Sequence, residues 1–118
     1  MCGDMDSDGD IFDQLMAVIN DRKGGEPGES YTAKLLASGA DAIGRKVTEE
    51  AGELVESAEE TGDSGREHFI HEAADLVYHT LVLLAWRNVS LNDVRSELGR
   101  RFGVSGLEEK ASRQPKSD

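Results

Sequence analysis

The sequence predicts an all-α protein with four main helices and one additional short helix. Apolar residues recur at helical spacing along most of the 118 residues, whereas the period-two alternation of a half-buried strand is nearly absent. Capping residues and glycines also fall where these periodic segments should begin and end. The length suits one domain of ordinary size.

The first two helices are predicted from their caps. Asp10 is placed to cap a helix over residues 11–22, and Ser30 is placed to cap a short helix over residues 31–37. Gly39 follows the short helix and should end it, because glycine readily adopts the left-handed conformation of a helix C-terminus. A glycine-rich loop separates the two helices.

The later helices are predicted at residues 41–60, 66–87 and 91–102. Ser90 and Asp93 have the spacing of a capping box before the last of them. The helix over 66–87 is apolar over more than half its circumference, which is more than one neighbouring helix can cover. We therefore expect dimerisation to complete the helical bundle, with this helix packed between the two subunits of a homodimer.

The predicted domain covers residues 10–103, between a flexible acidic leader at residues 1–9 and a polar tail at residues 104–118. Lys and Arg total 13 and Asp and Glu total 24, so the formal net charge is −11. This charge argues against a nucleic-acid partner, because binding to a phosphate backbone needs a basic face.

The chain also lacks the sequence features of membrane and secreted proteins. No apolar run reaches the roughly 18 residues of a membrane span, and the acidic, polar N-terminus does not resemble a signal peptide. Cys2 is the single cysteine, which excludes an internal disulfide framework and a thiolate zinc site. We expect a cytoplasmic protein without a membrane partner.

Two pairs of carboxylates carry the chemistry of the sequence. Glu50 and Glu53 lie at the border of an apolar stripe that includes Val55, and Glu72 and Asp75 lie in the middle of the most apolar helix. Buried and unpaired, such acids are costly unless Lys or Arg partners, protonation or a divalent cation neutralises them. The alternative for the first pair is an ordinary solvated acidic face.

Two pairs of acids, each spaced three residues apart, suit a hard cation. Oxygen ligands without cysteine favour Mg²⁺, or Mn²⁺ as a substitute, over zinc. We predict Glu50, Glu53, Glu72 and Asp75 as the metal ligands. A di-iron site is disfavoured, because neither Glu50 nor Glu72 has a histidine three residues later.

The same acids form a pattern that resembles the signature of the all-α, MazG-like nucleoside triphosphate pyrophosphatases. The pattern is Glu49-Glu50-x-x-Glu53, then eighteen intervening residues, then Glu72-x-x-Asp75. Flanking segments narrow the resemblance to the phosphoribosyl-ATP pyrophosphohydrolase family, and they are SYTAKLL at 30–36, KVTEEA at 46–51 and HEAADLVYH at 71–79. The resemblance covers about residues 11–102.

The resemblance implies an enzyme of histidine biosynthesis that hydrolyses N1-(5-phospho-β-D-ribosyl)-ATP to the AMP derivative and pyrophosphate. It implies Mg²⁺ as cofactor, a dimer of helical subunits and catalytic roles for Glu49, Glu50 and Glu53. Lys34 and Lys46 match the family pattern and are expected to bind the phosphates of the substrate.

Other interpretations stay open at this point. Tyr31 is a candidate substrate contact beside the glycine-rich loop, and His79 is interpreted as a hydrogen-bonding core residue one turn after Asp75. Lys34 and Lys46 also suit a purely solubilising role. The rival functions are a housekeeping pyrophosphatase for dUTP, dCTP or damaged nucleotides and a non-catalytic helical dimerisation module.

Overall fold

The computed structural model describes residues 9–102, and all regular secondary structure in this range is helical. The predicted all-α class is therefore confirmed. Most of the predicted leader, Gly103 and the whole predicted tail lie outside the described residues. The helices are α1 (Ile11–Asp21), a 3₁₀ turn (Pro27–Glu29), α2 (Tyr31–Ser38), α3 (Ala40–Ser57), α4 (Gly62–Trp86) and α5 (Leu91–Phe102).

The chain divides into two compact units. Met1–Asn88 contains α1 to α4, and Val89–Asp118 contains α5. The predicted capping box of α5 is confirmed, since Asp93 N–H donates to Ser90 Oγ over 3.0 Å and Ser90 N–H donates to Asp93 Oδ2 over 2.9 Å. The second unit is described here no further than this helix.

The predicted caps of α1 and α2 are also confirmed. Asp10 Oδ1 accepts hydrogen bonds from the backbone N–H of Phe12 and Asp13 over 3.1 and 3.2 Å. Ser30 Oγ accepts from the backbone N–H of Ala33 over 3.0 Å. Each cap satisfies backbone donors that the first helical turn leaves without an internal partner.

Two predicted boundaries were wrong. The third helix ends at Ser57 rather than near residue 60, and α4 begins at Gly62 rather than near residue 66. Gly65 explains the difference: a Cβ built there would lie 2.8 Å from the backbone carbonyl carbon of Glu60. Its lack of a side chain permits close packing of the helix, and does not end it.

The core of the first unit lies between α4 and the helices packed on it. Helices α3 and α4 form a hairpin with the most extensive contact, and α1 and α2 also contact α4. The buried apolar residues are Met16, Ile19, Ala33, Leu35, Leu36, Ile43, Leu81, Val82 and Ala85.

Part of the predicted apolar surface remains uncovered. Val55 was placed in the core stripe of the long helix, but its side chain is 70% exposed. An open apolar groove of about 380 Å³ also runs between α1 and α4. Its lining residues are Ile11, Phe12, Leu15, Ile70, Ala73, Ala74 and Val77.

None of the helices within residues 9–102 combines the length and the apolar character needed to cross a membrane.

Candidate functional site

Three of the four predicted metal ligands meet between α3 and α4. Glu50, Glu53 and Glu72 each offer one carboxylate oxygen, and these oxygens all lie within 4.8 Å of one another. Glu50 and Glu72 are buried, with 8% and 7% of their surface exposed, whereas Glu53 is exposed. We call these three residues the acidic cluster, and it opens to solvent on the side of Glu53.

The local sequence explains why these side chains converge. Glu50 and Glu53 lie one helical turn apart on α3, so they share one edge of the helix. The loop at residues 58–61 is short and returns the chain along α3 as α4. Glu72, two and a half turns into α4, is thereby brought opposite the two acids of α3.

Two buried carboxylate oxygens of the acidic cluster lack the hydrogen bonds that such atoms normally make. Glu50 Oε1 and Glu72 Oε1 are buried, and neither has a hydrogen-bond partner in the described part of the chain. Buried polar atoms in native proteins are nearly always bonded to protein, water or an ion. These two orphaned oxygens therefore fit a site that receives a cation or a chain of waters.

Burial and mutual repulsion change the protonation of the cluster. Burial is the largest of the causes that together raise the pKa of Glu50 to about 7, and the adjacent Glu72 carboxyl and the charges of Asp75 and Glu53 act in the same direction. The hydrogen bond with Glu72 also raises the pKa of Glu53. Without a cation, Glu50 and Glu53 therefore retain their protons to higher pH than isolated carboxyl groups would.

Asp75 lies outside the group of converging oxygens. Its Oδ2 is 3.2 Å from Nε2 of His71, one turn earlier on α4. Its negative charge nevertheless contributes to the raised pKa of Glu50, after burial and Glu72. Its role as a metal ligand stays a prediction.

His68 is bonded to the cluster and Glu60 is bonded to His68, and neither was among the site residues predicted from the sequence. His68 Nε2 lies 3.1 Å from Glu72 Oε2, and His68 Nδ1 lies 2.9 Å from Glu60 Oε1. The hydrogen bond to Glu60 is the main cause that raises the pKa of His68. The predicted long helix runs through Glu60, but α3 ends at Ser57, and Glu60 contacts α4 instead.

His68 and Glu72 were nevertheless recognisable as neighbours, since they lie four residues apart on one helix. No sequence pattern indicates Glu60, because its position depends on where α3 ends.

Lys46 and Glu49 form an ion pair on the outer surface of α3. Lys46 Nζ donates to Glu49 Oε1 over 3.1 Å, and both side chains are well exposed. This hydrogen bond is the main cause that raises the pKa of Lys46. Glu49 also lines an open depression of about 510 Å³ with Arg45 and Thr48, so it faces away from the acidic cluster.

The predicted substrate contacts on α2 differ in their surroundings. The hydroxyl of Tyr31 lies 3.2 Å from Nε2 of His79 on α4, and Thr32 Oγ1 hydrogen-bonds to the hydroxyl of Tyr78. His79 is buried and hydrogen-bonded, as its interpretation as a core residue predicts. Lys34 is exposed.

Comparison with known proteins gives a consistent family. Residues 12–102 match the family described as Phosphoribosyl-ATP pyrophosphohydrolase. A phosphoribosyl-ATP pyrophosphatase of Rhodopirellula baltica is 54% identical over 107 residues, which cover 91% of this chain and 89% of the relative. One of Trichlorobacter lovleyi is 50% identical over 110 residues, covering 93% and 99%.

A longer relative has a second part. The histidine biosynthesis bifunctional protein of Wolinella succinogenes is 44% identical over 104 residues, which cover 88% of this chain but 44% of that protein.

Proposed function

The chain belongs to the phosphoribosyl-ATP pyrophosphohydrolase family, and from this membership we propose that the acidic cluster between α3 and α4 is its active site. Its activity is the hydrolysis of phosphoribosyl-ATP, a step of histidine biosynthesis. The observation that carries the site assignment is the convergence of three carboxylate oxygens within 4.8 Å, two of them on buried side chains.

We propose Mg²⁺ as the cofactor, with Mn²⁺ as a substitute. The donor set supports it, because Glu50, Glu53 and Glu72 offer oxygen ligands and no sulfur. A cation would also supply the partner that the buried oxygens of Glu50 and Glu72 lack. When bound, such a cation neutralises phosphate charge and lowers the pKa of a water molecule.

Different residues of the chain then contact the cation and the phosphates of the substrate. Glu50, Glu53 and Glu72 hold the cation, with Asp75 as a further candidate ligand. A polyphosphate would be repelled by these acids alone, so basic side chains must meet its outer oxygens. Lys46 lies one turn before Glu50 and is our proposed phosphate contact.

Further roles are proposed for Glu49 on α3 and for Lys34 and Tyr31 on α2. Glu49 holds Lys46 by their ion pair, which gives it a place in catalysis without contact to the cluster. Lys34 is proposed to contact substrate from α2, together with Tyr31. The proposed catalytic set thus remains Glu49, Glu50 and Glu53.

Hydrolysis by these roles adds one water across the anhydride between the α and β phosphates. The products are pyrophosphate and the phosphoribosyl derivative of AMP.

We also propose that the enzyme is a homodimer. The apolar groove between α1 and α4 and the exposed side chains of Ile11, Phe12 and Ile70 support an apolar interface at this face. Static light scattering at micromolar protein should give twice the mass of the chain. A monomer mass would contradict the proposal.

The ATP-derived substrate supports a cytoplasmic location.

One assay tests the proposed function directly. Purified protein is offered phosphoribosyl-ATP, ATP, dUTP or dCTP separately with Mg²⁺, and released pyrophosphate is measured. We expect turnover of phosphoribosyl-ATP far above the others, and loss of turnover with EDTA. A preference for dUTP or dCTP would favour a housekeeping pyrophosphatase, and release from none would favour a non-catalytic dimerisation module.

A further inference from the structure

The hydrogen bonds of His79 determine which of its ring nitrogens carries the proton. His79 is buried, and its Nδ1 lies 3.0 Å from the backbone carbonyl oxygen of Asp75. A carbonyl oxygen can only accept, so Nδ1 is the N–H of this imidazole. In the neutral ring, Nε2 is then a bare acceptor.

This tautomer fixes the polarity of Tyr31. The Tyr31 hydroxyl lies 3.2 Å from Nε2 of His79, so it donates its single hydrogen there. The Tyr31 side chain is 53% exposed, and its oxygen still has lone pairs available on the solvent side. Toward a ligand, this hydroxyl is an acceptor only.

Ring packing holds the phenol in place as well. The rings of Tyr31 and His79 meet edge to face, with their centroids 6.1 Å apart and an interplanar angle of 87°. Tyr31 also stacks on Tyr78 at 6.4 Å and 24°. Two neighbours on α4 therefore orient a side chain of α2, and such orientation is typical of a binding residue prepared for its ligand.

The phenol also lies beside the proposed active site. His79 follows Asp75 by one helical turn, and Asp75 follows Glu72 by three residues. Tyr31 is also close enough to Lys46, which lies on α3, to contribute after Glu49 to the raised pKa of Lys46. The phenol thus stands near the proposed phosphate contact, and its partner His79 lies seven residues after Glu72 on α4.

We propose that Tyr31 accepts a hydrogen bond from the nucleoside part of the substrate, a ribose hydroxyl or a base N–H, and that His79 is the positioning residue that makes it an acceptor. This inference rests on the proposed function and assigns the contact to one end of the substrate. Phosphate oxygens are themselves acceptors, so they do not suit a hydroxyl whose proton is already committed. The cluster and Lys46 hold the phosphates, and Tyr31 reads the nucleoside.

A double-mutant cycle tests the pairing of Tyr31 with His79. Tyr31→Phe removes the hydroxyl, and His79→Asn retains a donor for the Asp75 carbonyl but places no acceptor near Tyr31. Each variant should raise KM by about 3- to 10-fold, as expected for one neutral hydrogen bond, with kcat nearly unchanged. The double variant should be no worse than either single one.

His79→Gln is the conservative control, because its amide oxygen can take the place of Nε2, and it should retain most of the wild-type KM. Multiplying effects in the double variant, or a loss confined to kcat, would overturn the proposal.

Product inhibition decides which end of the substrate Tyr31 contacts. In Tyr31→Phe, the inhibition constant of phosphoribosyl-AMP should rise by the same factor as KM, whereas that of pyrophosphate should stay unchanged. An equal rise for pyrophosphate would place the phenol on the phosphates and overturn the proposal.

This comparison needs only Tyr31→Phe, so it stands even if variants of His79 fail to fold. A wild-type protein that did not turn over phosphoribosyl-ATP would instead refute the proposed function.

Discussion

The first half and the last third of α4 bury different kinds of side chain. Its first half places the carboxylate of Glu72 in a buried position with one oxygen unpartnered. Its last third buries Leu81, Val82 and Ala85 in the core of the first unit. Buried carboxylates lower stability unless something compensates them, whereas apolar burial supplies stability. The apolar last third of α4 therefore stabilises the fold, and this stability offsets the cost of burying Glu72 in the acidic first half.

The largest expected effect is on activity, at the four proposed metal ligands. We expect four variants each to reduce kcat/KM by roughly 100-fold or more: Glu50→Gln, Glu53→Gln, Glu72→Gln and Asp75→Asn. The loss of a metal ligand should reduce activity more than the loss of a residue that only hydrogen-bonds to a ligand. The helical content of these variants should stay unchanged, because each substitution keeps the shape of the side chain. Circular dichroism and pyrophosphate release provide the measurements.

Glu56→Gln is the matched control on the exposed face of α3 and should be nearly silent. Near-normal turnover in two or more of these four variants would contradict the assignment of the metal ligands.

The apolar third should show the opposite profile. Leu81→Ala leaves a cavity in a well-packed region and should lower the free energy of unfolding by about 2–5 kcal/mol. Urea denaturation measures this loss. At a temperature where the variant remains folded, its kcat/KM should match wild type. An activity loss larger than the loss of folded protein would mean that the two halves are not separable.

Lys46 tests how far the site extends from the cluster along α3. Lys46→Met should lower kcat/KM by roughly 10- to 150-fold, the equivalent of about 1.5–3 kcal/mol for a charged hydrogen bond to phosphate. It should keep the stabilisation that Mg²⁺ gives beyond KCl of equal ionic strength. Poor Mg²⁺ binding with normal turnover at saturating metal would instead make Lys46 a support of the cluster.

The acidic cluster should also govern the pH dependence of stability without metal. Burial raises the pKa of Glu50 from its ordinary value to about 7, so the native state binds more protons than the unfolded state between those values. Stability contributed by this group is therefore present at low pH and is lost as pH rises toward 7 and above.

In EDTA, the melting temperature of wild type should fall more steeply from pH 5 to pH 8 than that of Glu50→Gln. The pKa of His68 is raised by Glu60 and Glu72, which both proteins retain, so His68 does not explain a difference in slope between them. Equal slopes in the two proteins would show that Glu50 is not the group responsible.

The sequence revealed those parts of the molecule whose causes are local. Asp10 and Ser30 cap helices because a capping side chain bonds backbone groups two or three residues away. Glu50 and Glu72 were found because helical periodicity places them among apolar residues. The family resemblance supplied the activity, which periodicity alone does not indicate.

The features that sequence reasoning missed depend on contacts between elements. Gly65 falls between the helices predicted over 41–60 and 66–87, although it lies inside α4 and approaches Glu60 closely, a contact that only the folded hairpin creates. The bond between Tyr31 and His79 joins residues 48 positions apart, beyond any local pattern. The exposure of Val55 likewise depends on how far neighbouring helices extend along α3.

The smallest expected effect concerns Glu60, which links the end of α3 to the acidic half of α4 through His68. If His68 restrains Glu72, Glu60→Gln should loosen that restraint and raise the Mg²⁺ concentration needed for half of the thermal shift by about 3- to 10-fold. This lies at or below the usual range for an outer partner of a metal ligand, because Glu60 and His68 are half exposed and screened by solvent.

A competing effect has the opposite sign. Glu60 stabilises the positive charge on His68, and a positive charge beside Glu72 competes with a cation. A midpoint that moves to lower Mg²⁺ would therefore show that His68 acts by its charge rather than as a tether. Glu56→Gln removes one carboxylate from the same stretch of chain without contact to His68, so its midpoint should not move. Only a difference between these two matched variants connects Glu60 to the cluster.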